Sequence, residues 1–234
     1  MSENFKVRIA AEGSIATLLK KEFPGTVILP LKGYKISYPA KGAGFFMAML
    51  KQVPRLLSVI RYENNWLKEM VQNLQPDLII SDNRYGFYHK TTACIFITHQ
   101  LNIQSGNSWL NKIIRKINYR YINRFTRCWI PDTESSDNLA GKLAHPNLLP
   151  EKPVDYIGPL SRFSKKNMPE KITLTILLSG PEPQRTIFEN ILLSQITQVK
   201  GTIAFVRGLP DAETIAGIST ARIGFLQSSS SRSA

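Results

Sequence analysis

Two cysteines and three histidines are all that 234 residues provide for thiol or soft-metal chemistry, and acidic side chains are outnumbered 17 to 30 by basic ones. Cys94 and Cys128 each lie inside an apolar run, ACIFIT and RCWIP, that reads as a buried strand. A disulfide or metal framework is therefore not expected, and each cysteine should be a small core residue in a reducing compartment. No stretch reaches the ~18 to 20 consecutive apolar residues needed to cross a bilayer. The first residues, MSENFKVRIA, also lack the apolar core of a secretory signal. The expectation is a cytoplasmic chain.

What is present is ordinary globular composition, 43% hydrophobic and 20% charged, with one unusual quantity, a formal net charge of +13. Such a balance implies an anionic partner. Nucleic acid, an acidic membrane surface and a phosphorylated small molecule all satisfy it, so the distribution of the charges has to decide.

Short β-rich runs alternate with amphipathic helical patterns, the arrangement of parallel strands joined by crossover helices, and the expected class is α/β. Strands are read at Val7 to Ala11, Thr26 to Leu31, Asp77 to Ser81, Ala93 to Thr98 and Arg127 to Pro131, then at Asp155 to Leu160, Leu174 to Ser179 and Thr202 to Val206. The three central runs should be buried. A helix capped by Ser14 should follow the first strand. Gly44 to Leu74 reads as two helical stretches, with Pro54 starting or kinking one of them, and Ser108 to Phe125 reads as a clear helix.

The stretch Ser161 to Lys171 is charged, contains proline and has no apolar period, as a linker would. The expected organisation is one domain over 1–163, a linker over 164–171, and a second domain over 172–234 ending in a low-complexity tail, QSSSSRSA. Only about 60 residues follow the linker, fewer than the ~100 to 150 of a typical domain, so the second domain is expected to be incomplete.

In open parallel sheets, ligands bind beyond the carboxyl ends of the strands. Three such segments carry chemistry: Asp82 to Gly86, His99 to Asn102, and Gly180 to Thr186. His99 can act as a general base or as a hydrogen-bonded structural residue. Asp82 can orient a hydroxyl, act as a base, or merely cap the following turn with Asn83. Arg84 can grip a phosphate or solvate a rim, and Gln100 should share the same sheet edge. His89 and His145 have no partner pattern. In the Gly180 loop, glycine permits close backbone approach and the following helix N-terminus offers N–H groups to an anion. Ser179, Gln184, Arg185 and Thr186 add donors there. The alternative is an ordinary turn in which Pro183 starts the helix.

The helix from Ser108 concentrates Lys112, Arg115, Lys116, Arg120 and Arg124, joined by Arg127, with no acid among them. Trp109, Ile113, Ile117, Tyr121 and Phe125 recur every fourth position and should form the packed stripe beside a cationic one. That cationic face is either simply solvated or lies against anionic lipid. No recognised nucleic-acid-binding motif accompanies it, so nucleic acid ranks lower.

Taken in order, LLKKEFPGTVILPLKGYKISY, DLIISDNRYGFYH, IFITHQLNI, CWIPD, DYIGPLSRF and ILLSGPEPQRTIFE resemble a bacterial group of GT-B glycosyltransferases related to family 28. The best-known member of that group adds N-acetylglucosamine to the lipid-linked peptidoglycan precursor. The resemblance implies two Rossmann-like domains facing a cleft, with the acceptor on the N-terminal domain and a nucleotide-sugar co-substrate on the other; no metal or further cofactor is called for. It implies His99 and Asp82 as catalytic, with Asn83, Arg84 and Gln100 on the acceptor. Ser179, Gly180, Glu182, Gln184, Arg185, Arg207 and Gly208 would hold the donor.

The acceptor is unspecified and could be lipid-linked, with Lys112, Arg115, Lys116, Arg120 and Arg124 facing the inner surface of a membrane. Members of the group usually have a strand and glycine-histidine loop before the region equivalent to Val7, and nucleotide-holding loops after that of Pro210. An impaired, fragmentary glycosyltransferase is the resulting expectation. A nucleotide-sugar 2-epimerase, for which three histidines are few, and a basic lipid- or nucleic-acid-binding module are the rivals.

Overall fold

The computed structural model describes residues 5–31, 45–104, 107–161, 172–180, 182–196 and 198–207. The segment expected at 33–39, the linker at 164–171, Gly208 and the tail at 227–234 lie outside them. The chain divides into two compact units, Val53–Lys165 and a second made of Met1–Gln52 together with Lys166–Ala234.

The Val53–Lys165 unit is built on four strands, β3 (Leu78–Asp82), β4 (Ala93–Ile97), β5 (Arg127–Ile130) and β6 (Val154–Tyr156). They lie side by side in sequence order, and every pair is parallel. All four carboxyl ends therefore meet one edge of the sheet. The fold class is α/β with parallel strands, as the alternating pattern indicates. Helix α3 (Ser108–Ile122) connects β4 to β5. It begins where the Asn107 side chain accepts hydrogen bonds from the N–H groups of Trp109 and Leu110, satisfying donors that a helix start leaves open.

The core is aromatic and tight. Phe96 and Phe125 are almost wholly buried with ring centroids 4.8 Å apart, and Tyr85 stacks on Phe96 at 5.1 Å. Each such ring stabilises the unit by roughly 1.5–3 kcal/mol through burial, with about 1 kcal/mol more from ring geometry. Cys94 and Cys128 are free, unexposed core residues. Burial pushes both thiols up, Cys128 to about 12 with the nearby Asp155 charge contributing, so neither is poised to react.

Several sequence expectations change here. Residues 45–74 form one helix, α2 (Phe45–Leu74), with Pro54 inside it; a proline deletes one ladder hydrogen bond, and the long amphipathic run continues past it. β3 is an edge strand with alternating exposure, Leu78 at 45% and Ile80 at 51%, rather than a buried one. In α3 the buried residues are Asn118, Tyr119 and Ile122, while Trp109 and Ile117 are exposed. A strict every-fourth-residue repeat drifts about 40° per step on a helix of 3.6 residues per turn, so a stripe from Trp109 to Phe125 winds off the packed face.

The other unit contains two separate parallel pairs. β1 (Arg8–Ala11) pairs with β2 (Val27–Pro30) across helix α1 (Gly13–Glu22). Glu12, not Ser14, is the cap of α1, without a side-chain hydrogen bond. β7 (Leu174–Leu177) pairs with β8 (Ile203–Val206) across α4 (Gln184–Ile196), around a small core of Leu178, Ile196 and Phe205. Helix α4 buries Arg185 and Glu189 and leaves Ile187, Phe188 and Ile191 about half exposed. Ile196 is buried with them and Leu192 and Leu193 pack on the core, so the inner face of α4 is part charged and part apolar.

Candidate functional site

Asp82 ends β3 and is exposed. The next residue, Asn83, takes a left-handed conformation with φ 55°, which asparagine tolerates better than most residues. Its N–H donates to Ile97 O at 3.0 Å, and its Oδ1 accepts from the Thr98 hydroxyl at 3.2 Å. This reversal ties the loop after β3 to the end of β4. Thr98 Oγ1 also accepts from the Gln100 N–H at 3.0 Å. His99 is exposed, with Gln100 Nε2 at 3.4 Å from its Nε2. Asp82, Asn83, His99 and Gln100 thus share the carboxyl edge of two adjacent strands.

Arg84 belongs to a different arrangement. Its Nη1 lies 2.6 Å from Glu63 Oε1, and Glu63, on α2, has no exposed side-chain surface. The second Glu63 oxygen accepts from the Gly86 N–H at 3.2 Å, while Asn64 Nδ2 donates to the carbonyls of Gly86 and Tyr88. Glycine is needed at 86 because a Cβ there would stand 2.4 Å from Glu63 Cβ and 2.6 Å from Ile60 O. Arg84, open in the sequence to a phosphate grip or a solvated rim, is in the structure the counter-ion of a buried carboxylate.

From the other side, Tyr85 donates to Asn118 Oδ1 at 2.8 Å, and Asn118 Nδ2 donates to Gln100 O at 2.9 Å. Burial, followed by the influence of Cys128, raises Tyr85 to about 12, which keeps its phenol a donor. Glu63, Asn64 and Asn118 look in the sequence like ordinary polar positions on helices. Only their partners 18 to 33 residues away give them roles.

Beyond Gln100 an open cavity of about 440 Å³ is lined by Gln100, Ile103, Gln104, Lys142 and Leu143. Its two lips are stitched together, since Asn102 N–H donates to Leu143 O at 2.8 Å and Asn102 Nδ2 to Lys142 O at 3.1 Å. Lys142 and Leu143 belong to a 3-10 turn (Gly141–Leu143) set by Asp132, a residue that the sequence presents only as following a strand.

Asp132 is wholly buried and accepts from the N–H groups of Thr133, Leu139 and Ala140 at 2.8–2.9 Å. It also accepts from His145 Nε2 at 3.2 Å. The Leu139 amide first, then those of Ala140 and Thr133 and the His145 contact, outweigh burial and hold its carboxyl at about 2. His145, without a partner in the sequence reading, has two: Asp132 and the stacked ring of Tyr156 at 4.8 Å.

The second expected site, after β7, is also occupied by the chain itself. Gly180 sits at φ +122° with nothing within 4 Å of a would-be Cβ, a backbone conformation that favours glycine. Ser179 is exposed beside it. At the start of α4, Glu182 Oε2 accepts from Thr186 N–H at 3.3 Å, and Glu182 Oε1 lies 2.6 Å from Arg185 Nε. Bonds from Thr186 and then Arg185 hold the Glu182 carboxyl below its ordinary range. Arg185 continues to Glu189 at 2.7 Å, and Glu189 is bonded to Arg207 Nε. Burial opposes the Glu189 charge, but Arg207 and Arg185 outweigh it and hold this carboxyl down as well. The helix end offered to a phosphate thus already holds the chain's own carboxylate. Gln184 lies within this first turn.

The basic face of α3 is smaller than its sequence suggests. Arg127 finds an acid after all, both oxygens of Asp155 at 2.8–2.9 Å. Arg124 lies over the rings of Tyr121 and Tyr88 at 4.5 and 5.0 Å, and Arg115 is half-buried.

Among the described residues no group of three or more His, Cys, Asp or Glu is placed to hold a metal, and no helix is long and apolar enough to cross a membrane. No family model matches the sequence, and no curated protein matches it. Solved structures similar in part include UGT89C1 of Arabidopsis thaliana complexed with UDP-L-rhamnose, at 11% identity and TM-score 0.45 over 87% of this chain and 58% of that one. The glycosyltransferase SnogD from Streptomyces nogalater is similar at 13% identity and TM-score 0.47, over 93% of this chain and 64% of that one. A UDP-N-acetylglucosamine 2-epimerase is similar at 11% and 0.32, over 86% and 63%. The chain therefore spans about three fifths of the length of each, 58%, 64% and 63%.

Proposed function

We propose that the protein is a glycosyltransferase of the GT-B kind related to family 28, in which a sugar passes from a nucleotide-sugar to an acceptor hydroxyl. The observation that carries the reading is the shared edge of β3 and β4. There Asp82, Asn83, His99 and Gln100 stand together, and Gln100 also lines an open cavity of about 440 Å³ whose lining mixes two carboxamides, one ammonium and two aliphatic side chains.

In this reading an acceptor hydroxyl lies against Gln100 and Asn83, and exposed His99 or Asp82 takes its proton as the oxygen attacks the anomeric carbon. The bond from that carbon to the donor phosphate breaks, and the nucleoside diphosphate leaves with the electron pair. Ser179, the Gly180 backbone and the first turn of α4 are the proposed donor side, with Glu182, Gln184, Arg185 and Arg207 shaping it and Gly208 next to it. A diphosphate there must exchange places with the Glu182 carboxylate, since both use the N–H of Thr186.

The test is nucleoside diphosphate release from a panel of nucleotide-sugars, with and without sugar and lipid-linked acceptors. Acceptor-dependent release that falls about 10²- to 10⁴-fold in His99→Ala or Asp82→Ala is the expected result. Failure of every nucleotide-sugar to bind, or release indifferent to both substitutions, removes the reading.

A further inference from the structure

Both walls of the cavity beyond Gln100 are set before anything enters it. Gln100 is held by its N–H on Thr98 Oγ1 at 3.0 Å and by its carbonyl, which accepts from Asn118 Nδ2 at 2.9 Å. On the other lip, Asn102 holds the carbonyls of Lys142 and Leu143. Leu143 N–H donates to Ala140 O at 3.2 Å, and the N–H of Ala140 is itself bound by Asp132 at 2.9 Å. Walls fixed in advance leave less ordering to be done on binding. The side chains are less committed than the backbone. Lys142 and Gln104 are exposed, and neither the ammonium nor the carboxamide makes a hydrogen bond or ion pair within the described residues. None of the five lining residues is acidic.

That lining describes a ligand. A carboxamide both donates and accepts, as a sugar hydroxyl does, and Gln100 and Gln104 provide two. Ile103 and Leu143 suit the C–H face of a pyranose ring, while two aliphatic side chains offer no channel to a lipid chain. The Lys142 ammonium calls for one negative charge. A phosphate commonly draws an arginine or the free N–H groups of a helix start. The lining holds no arginine, and at the start of α3, which follows Gln104 in the chain, Trp109 and Leu110 N–H already donate to Asn107. A carboxylate fits better. The volume, about 440 Å³, falls within the ~300–1,000 Å³ of small-molecule sites. We propose that this cavity binds a saccharide bearing a carboxylate, that is, a uronic acid unit. The carboxylate pairs with Lys142, ring hydroxyls meet Gln100 and Gln104, and the C–H face lies on Ile103 and Leu143. The proposal rests on the sugar-transfer reading in one respect, that the uronate belongs to the acceptor; binding itself requires no transfer.

The experiment is titration calorimetry of the full chain, without nucleotide-sugar, against digalacturonate, its neutral counterpart galabiose, and galactose 6-phosphate. Digalacturonate should bind roughly ten- to a hundredfold more tightly than galabiose. Lys142→Met should remove that preference and Lys142→Arg should keep part of it. Lys68→Met, at an exposed lysine on α2, should keep all of it, which separates the cavity from the general positive charge. Gln104→Ala should weaken digalacturonate binding several-fold. Circular dichroism checks that each variant remains folded. Equal binding of digalacturonate and galabiose, no binding of digalacturonate, a preference that survives Lys142→Met, or tighter binding of galactose 6-phosphate each overturns the proposal. Acceptor-dependent nucleoside diphosphate release with neutral sugars, alongside no digalacturonate binding, removes this proposal and leaves sugar transfer standing. Digalacturonate binding without any release does the reverse.

Discussion

Two arginine–carboxylate clusters, one in each unit, show how differently the same pair of side chains can be used. Around β3, Arg84 meets a single carboxylate, Glu63, contributed by a helix 21 residues away and wholly buried. Around α4, Glu182, Arg185, Glu189 and Arg207 alternate in sign; three of the four lie within eight residues, and Glu182 is 54% exposed. The first cluster is a long-range anchor that fixes a strand-end loop to a helix. The second is largely local, with one arm open to water, so it can exchange a partner without unfolding anything. Both give the arginines that a sequence offers most readily to an anion a carboxylate partner within the chain.

The sharpest way to break this comparison is Glu63→Ala. It leaves Arg84 without its buried counter-charge and Gly86 N–H without its acceptor, and should cost about 3–5 kcal/mol in urea unfolding. Arg185→Met should cost less, about 2 kcal/mol by the same measurement, because Glu189 retains Arg207 and the methionine fills much of the vacated space. A cost for Arg185→Met equal to or above that of Glu63→Ala would show that the second cluster is as rigid as the first.

The smallest effect on folding belongs to Glu182→Gln, at the exposed arm. It should leave the urea midpoint nearly unchanged while raising affinity for inorganic phosphate or a nucleoside diphosphate several-fold in calorimetry, since it removes a competing negative charge from the α4 N-terminus. No gain would mean that this helix end is not an anion site.

The strands were legible because each is a short apolar run bounded by turn residues. DLIIS, ACIFIT and RCWIP fall on β3, β4 and β5, and with them came the right class and the edge on which Asp82, His99 and Gln100 stand. What resisted reading was pairing between distant positions. Glu63 is one polar residue among many on a 30-residue helix, and Asp155 lies 28 residues from the Arg127 it neutralises. The basic face therefore looked larger and freer of acid than it is. The helical stripe failed for a geometric reason, the drift of a fourfold repeat around a 3.6-residue turn. On α4 the charged pair Arg185 and Glu189 shares the inner face with Leu192, Leu193 and Ile196, which no local pattern announces.

Asp132 adds something that no pairwise ledger expresses. Three amide protons and one imidazole converge on one carboxylate, so the stretch from 132 to 145 behaves as a single panel riveted at its centre. Asn102 then hinges that panel to the loop after β4. A ligand entering between Gln100 and Lys142 would meet a wall that yields as a whole or not at all. In hydrogen exchange, the amides of Thr133, Leu139 and Ala140 would then lose protection at one common rate, and a ligand held in the cavity would slow all three together.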